Sequence, residues 1–294
     1  MSRLWPTLPG IIFCVVFVLG AFILANRTSD IQPAAEIVQH SDQSRYAEVA
    51  TTSEERVVRI ASTTTAIQLP ILVYHIVRPA YPDDSRAVRA LALTPETFDN
   101  ELLYLALAGY HVISFTDLEN YFLRNEPLPK KPIILTFDDG WKDQFTYAFP
   151  LLLKNHFSAT FFVFTNAIGR PDFVSWEDLK VMRDAGMTIG SHSRSHPYLT
   201  RIASTTTLQN EIRGSRRILE EHLGIPITEF AYPFGRYNAD IVTMVKEAGY
   251  RSARGDFESG KQSLDRLFEL SALNAPTTTV LFEKKFPISG YRGR

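Results

Sequence analysis

In Pro132-Ile133-Ile134-Leu135-Thr136-Phe137-Asp138-Asp139-Gly140 a short apolar run stops abruptly at two carboxylates and a glycine. A brief apolar run closed by a turn signal reads as a strand buried on both faces, the kind that builds parallel sheets. Successive strand residues point to opposite faces. Asp138 and Asp139 can therefore serve one site only where the strand ends and the chain bends. Gly140 permits that bend, because it tolerates backbone angles that other residues avoid. A second stretch, His192-Ser193-Arg194-Ser195-His196, complements the first. Two imidazoles four positions apart converge on one ion if their segment is helical or tightly turned. Two His and one carboxylate leave a coordination position open, the pattern of a catalytic rather than a structural metal site, and the remaining carboxylate is free to act as a general base. Taken singly, Asp-Asp-Gly is ordinarily a solvated turn and His-x-x-x-His ordinarily no ligand pair. Their joint placement, each behind a predicted strand (Ile133–Phe137 and Thr188–Ser191), points to a hydrolytic metal site.

Outward from these motifs the pattern is one of alternation. Strands are predicted at Leu69–Val77, His111–Phe115, Ala159–Phe164, Glu229–Tyr232 and Leu267–Leu273. Helices are predicted at Thr116–Phe122, Phe145–Asn155, Ser175–Ala185, Thr206–Leu223 and Asn238–Ala248, and one more opens at Thr94-Pro95-Glu96 and ends at Gly109. Thr94 and Pro95 suit the cap and first position of a helix, and Gly109, Gly186, Gly224 and Gly249 stop helices. Strands alternating with helices predict an α/β fold on a parallel sheet. The Asp pair, the His pair and Tyr232-Pro233-Phe234 all follow strand ends, the face at which barrels of this kind carry their chemistry.

These residues resemble the polysaccharide deacetylases, carbohydrate esterase family four. Thr136–Gly140 is similar to the first motif of that family and Gly190-Ser191-His192-Ser193-Arg194-Ser195-His196-Pro197 to its second. Phe230-Ala231-Tyr232-Pro233-Phe234-Gly235 resembles the third, and Trp176-Glu177-Asp178-Leu179 and Ala185–Gly190 agree as flanks. The resemblance spans Leu69 to Pro276. It implies a distorted (β/α) barrel of about seven strands and metal-dependent removal of acetyl groups from amino-sugar polymers. It assigns Asp139, His192 and His196 to one divalent metal, zinc first, with nickel or cobalt as alternatives. It assigns Asp138 as the base that takes a proton from the attacking water, and the backbone N–H of Phe234 as the oxyanion contact.

The chain departs from the family pattern twice. Where the third motif often begins with an Arg that orients the base, this chain has Ala231; Arg236 and Arg254 are the candidates to replace it. The last motif usually supplies a His as general acid, and the matching Leu270-Ser271-Ala272-Leu273-Asn274 has none. Some exopolysaccharide deacetylases carry a Tyr-His on the first strand and deliver the acid from there, a circularly permuted version of the site. Tyr74-His75 matches that arrangement, so His75 is the candidate acid. Of the other histidines, His40 lies in the polar N-terminal stretch, His156 and His222 near helix ends, and His111 at the wrong end of its strand. Trp141, which suits either sugar stacking or the core, joins Tyr74, Phe234 and Leu273 as candidate substrate contacts, Leu273 for the acetyl pocket.

The rest of the sequence sets bounds. The 294 residues are 45% hydrophobic, enough for one barrel-sized core with appendages. Thirty-one basic residues against 32 acidic ones, with no basic run, give no sign of a nucleic-acid partner. The single cysteine, Cys14, excludes an intramolecular disulfide framework and a cysteine nucleophile in the folded domain. Cys14 sits in the apolar run Leu8–Ala25, near the lower length for a membrane helix. Ile23-Leu24-Ala25 is a poor cleavage site, so residues 1–26 read as an anchor in preference to a cleaved signal. Residues 27–68 read as a polar tether reaching about 35 Å as a flexible coil, and residues 69–294 as the catalytic domain. The heptapeptide Arg-Ile-Ala-Ser-Thr-Thr-Thr occurs at 59–65 and 201–207 in unmatched flanks and is not a structural repeat. The expected protein is a deacetylase of an N-acetylglucosamine-type polysaccharide, anchored in the cytoplasmic membrane with its catalytic domain outside, or secreted if the anchor is cleaved. The alternatives are an O-acetyl glycan esterase using the same site and a catalytically inactive glycan-binding protein.

Overall fold

The computed structural model describes residues 66–255 and 259–286. The anchor at 1–26, Cys14, His40 and all but the last three residues of the tether lie outside them. Among the described residues no helix is long and apolar enough to cross a membrane.

Twelve strands are described: β1 (Ile67–Gln68), β2 (Ile71–Tyr74), β3 (Ile76–Val77), β4 (Ala92–Leu93), β5 (His111–Val112), β6 (Pro132–Phe137), β7 (Thr160–Val163), β8 (Thr188–Ser191), β9 (Glu229–Ala231), β10 (Ser252–Arg254), β11 (Lys261–Gln262) and β12 (Leu273–Asn274). Seven of them run side by side in the order β10-β9-β8-β7-β6-β2-β12, all neighbours parallel, with β5 paired to the start of β6. Between the two outer strands there is a single parallel bridge, Arg254 to Leu270, just before β12. The architecture is a parallel-sheet half-barrel.

Both sheet faces are apolar, as parallel strands require, and the period of two sorts them. Leu72 and Tyr74 of β2, Leu135 and Phe137 of β6 and Phe161 and Val163 of β7 belong to one core cluster, packed under the helices Pro95–Leu107, Trp176–Asp184 and Ser215–Leu223. Ile71, Val73, Ile134, Phe162 and Ala231 belong to the other, together with Phe115, Leu118 and Phe122 of the helix Phe115–Arg124. Capping follows the sequence closely. The Thr94, Ser114, Ser175 and Asn238 side chains accept from N–H groups in the first turns of their helices, and Pro95 stands at the first position of its own.

The structure corrects several sequence-based expectations. The first strand breaks at His75, because the chain leaves β2 there and pairs with β4. The strand expected at His111–Phe115 stops at Val112, since Ser114 caps a helix. The long helix expected from Thr206 contains a π-turn, Asn210–Gly214. At the C-terminal end only Leu273 of the expected strand Leu267–Leu273 joins the sheet, as the start of β12, and the strand Ser252–Arg254, unannounced by periodicity, lies next to β9.

One polar pair is set into the helix-covered layer. Tyr74 and Glu101 are both buried, and the Tyr74 hydroxyl donates to Glu101 Oε2 at 3.0 Å. Burial pushes Glu101 from its ordinary 4.5 up to about 8. A carboxyl raised in the folded state favours the neutral form, so its stabilisation is full below pH 4.5 and is lost as pH rises to about 8. Glu101→Gln is therefore expected to gain stability relative to wild type progressively over that interval. Urea midpoints at pH 5 and pH 8 check this; an equal difference at both values would contradict it.

Candidate metal-dependent active site

The site lies where β6, β8 and β9 end. The Asp138 N–H donates to the Tyr74 carbonyl, extending the β2–β6 ladder by one residue. The chain then turns sharply, with Asp139 and Gly140 both at φ 75°. A Cβ on Gly140 would meet Val163 Cγ1 at 2.8 Å, so space as well as backbone conformation demands glycine there. Bending within the Asp pair itself is what lets adjacent carboxylates share a site. The His segment is a tight turn, not a helix. Ser193 and His196 are left-handed (φ 68° and 58°), and Ser193 Oγ accepts from the His196 N–H. Such backbone in non-glycine residues needs outside support. Glu211 supplies it, accepting from the N–H groups of Arg194 and Ser195 and from Ser195 Oγ.

The turns bring Asp139, His192 and His196 together, with ligand atoms all within 4.8 Å of one another. His192 Nε2 and His196 Nε2 are 3.2 Å apart, and Asp139 Oδ1 lies 3.8 and 3.4 Å from them. A tetrahedral ion with bonds of about 2.0–2.1 Å separates its ligands by about 3.3–3.4 Å, so these three atoms fit one cation. The donor chemistry fits as well. His192 Nδ1 is 2.7 Å from the Ala231 carbonyl, which fixes the proton there and leaves Nε2 as a lone pair facing the site. Burial, with His196 beside it, pushes His192 down to about 3, so the imidazole is neutral, as a ligand must be.

Asp138 is buried with Oδ2 3.7 Å from His192 Nε2, while Oδ1 accepts from the Arg254 guanidinium. Arg254 is fully buried and lies over the Phe162 ring, 4.9 Å from its centroid. It is the register partner of Ala231 across the β9–β10 ladder. The arginine absent from position 231 is thus supplied at the same level by the neighbouring strand, and the small Ala231 leaves room for it. Arg236, the other sequence candidate, is exposed.

His75 is half-buried at the break after β2. Gln144 Nε2 donates to the carbonyls of both His75 and Asp138, tying the two strand ends together. Phe234 sits at φ 59° in the turn after β9, with its ring 4.5 Å from that of His196 and stacked at 3.8 Å on Tyr198. Trp141 turns its indole N–H to Asp139 Oδ2 at 3.0 Å. Two expected substrate contacts fall elsewhere. Tyr74 is buried between Phe98 and Phe137 on the helix-covered face, because alternation along β2 sends it away from the barrel interior. Leu273 pairs with Leu72 and packs against the same layer. Sequence reasoning did not find Glu211 or Gln144. The carboxylate in Asn210-Glu211 and the amide in Asp143-Gln144 carry no local signal that sets them apart.

Half-barrel, Asp pair, His turn and third-motif turn together define a carbohydrate-deacetylase class of domain. Residues 125–253 match the family model described as polysaccharide deacetylase. The poly-beta-1,6-N-acetyl-D-glucosamine N-deacetylase of Staphylococcus aureus (strain MRSA252) is 25% identical over 203 residues, 61% of this chain and 69% of that protein. Among solved structures, the Streptococcus pyogenes deacetylase PplD in complex with acetate superposes with a TM-score of 0.66 at 28% identity, over 71% of this chain and 93% of its own. IcaB from Ammonifex degensii superposes with a TM-score of 0.66 at 25% identity, over 76% and 97%.

Proposed function

We propose that this protein is a metal-dependent deacetylase that hydrolyses N-acetyl groups of an N-acetylglucosamine-type polysaccharide. One observation carries the reading: three neutral or anionic donors converge on a single point beside a buried Asp–Arg pair. Asp139, His192 and His196 would hold the cation, zinc by preference from its two imidazoles and one carboxylate. When bound, such an ion acts as a Lewis acid on an acetyl carbonyl and acidifies water.

The chain's own groups divide the proton work. Arg254 pairs with Asp138 and aims it, and Asp138 takes a proton from the water that attacks the acetyl carbon. The Phe234 N–H donates to the carbonyl oxygen as charge develops there. His75 gives a proton to the amine nitrogen as the C–N bond breaks, releasing acetate and a free amine. The named activity of the Staphylococcus aureus relative supports a β-1,6-linked polymer as the substrate to try first. The apolar run at 8–25 supports placing the domain outside the cytoplasmic membrane on an anchor.

The test is acetate release by the full-length chain from several acetylated glycans, N- and O-linked, with and without chelator. N-acetyl release that the chelator abolishes and zinc restores is expected. No release from any glycan would favour a binding protein, and release indifferent to the chelator would refute the metal site.

A further inference from the structure

Asp139 presents its two oxygens to different company. Oδ1 faces the two imidazoles, while Oδ2 accepts from the indole N–H of Trp141 at 3.0 Å. Trp141 is itself held. Its ring stacks on Phe173 with centroids 4.6 Å apart and planes at 21°. The two residues form an antiparallel bridge, flanked by hydrogen bonds from the Lys142 N–H to the Asp172 carbonyl and from the Val174 N–H to the Gly140 carbonyl. Lys142 Nζ adds an ion pair at 2.5 Å to Asp178, which caps the next helix. Phe173 continues edge-on to Phe164, and Phe164 lies against His196 at 5.5 Å. An aromatic frame therefore runs from one side of the ligand set to the other.

We propose that Trp141 is a positioning residue that fixes Asp139 as a one-oxygen ligand and so sets the affinity of the site for its cation. The inference rests on the reading that Asp139, His192 and His196 hold the metal. Asp139 is only half-buried and stands on a left-handed turn, so its carboxylate needs a partner to stay in one rotamer. With Oδ2 engaged by the indole, Oδ1 alone is free to ligate. Groups that hold a ligand in this way typically contribute 10–100-fold to metal affinity. The covered face of Trp141 suits this role better than a sugar platform, since Phe173 occupies it.

Trp141→Phe deletes the N–H and keeps a ring for Phe173. Competition with a chromophoric chelator, using Zn²⁺ as probe and the full-length protein, is expected to show zinc bound about 10–100-fold more weakly. The loss of turnover should be largest at limiting zinc and shrink as zinc is raised, the signature of an effect on metal affinity. Zinc affinity within twofold of wild type would overturn the proposal, most clearly if KM rose instead, the mark of a sugar contact. Should Trp141→Phe fail to fold, Phe173→Leu keeps the donor but removes its support, and a smaller loss of zinc affinity is expected; an unchanged affinity would again overturn it. A wild-type protein that binds no zinc would instead defeat the underlying metal-site reading, so the two failures are told apart.

Discussion

Replacing Arg254 with Met is expected to lower acetate release by about 10²–10⁴-fold, the span over which a positioned general base contributes, and to destabilise the fold by about 3–5 kcal/mol. Both effects have one cause. Asp138 and Arg254 are buried together, the guanidinium resting on Phe162, and burial alone pushes the Arg254 pKa down against the pull of Asp138. Removing one partner leaves the other's charge buried and unpaired, and the cost is large for that reason. Met fills similar volume, so the loss cannot be put down to a cavity. The double variant Asp138→Asn/Arg254→Met separates stability from catalysis. With no buried charge left, its urea midpoint should return most of the way to wild type, while turnover stays as low as in the single variants. Arg254→Lys should recover stability better than rate, because an ammonium offers a point charge without the planar fork. A single Arg254→Met variant with normal turnover would show that the pair does not orient the base.

The reach of the sequence is clear at this same pair. Asp138, Asp139, His192 and His196 sit in two local motifs, and each motif carries its own turn. Their convergence needed only that β6 and β8, with β7 between them, end at the same face of one parallel sheet. Arg254 is of another kind. Nothing near it in the chain marks it as functional, and its place follows from the β9–β10 register that sets it opposite Ala231. Sequence could name it only as one of two spare arginines. Glu211 reaches the His turn from a π-turn in a helix that periodicity reads as continuous. Tyr74 shows the reverse error. Its neighbour His75 lies beyond the strand's last ladder position, while Tyr74 is still within it and so obeys the two-residue alternation that buries it beneath Phe98. The strand expected at Leu267–Leu273 fails because apolar content alone does not distinguish a strand from a segment that merely packs: Leu267, Leu270 and Ala272 are buried, yet only Leu273 and Asn274 pair with β2.

His75→Ala is expected to lower turnover on an N-acetylated glycan by about 10²–10⁴-fold while leaving zinc content unchanged. The argument is one of leaving groups. An amine cannot depart from a tetrahedral carbon as a free anion, so the nitrogen must be protonated as the C–N bond breaks. In the proposed mechanism Asp138 is the base on the water side, and the segment matching the motif that usually supplies a histidine is Leu270–Asn274, which has none. His75 stands at the end of β2, next to β6, with its backbone clamped to that of Asp138 through Gln144. It is half-buried, close enough to solvent to be reprotonated after each turnover. An aryl acetate releases a phenolate that leaves without a proton, so on that substrate His75→Ala should lose far less. The ratio of the two losses is the diagnostic quantity. A fall on amide and ester alike would assign His75 to substrate placement, and unchanged amide turnover would move the acid to another group. A large loss confined to the amide would identify the strand-one imidazole as the proton donor, the role vacated by the C-terminal motif.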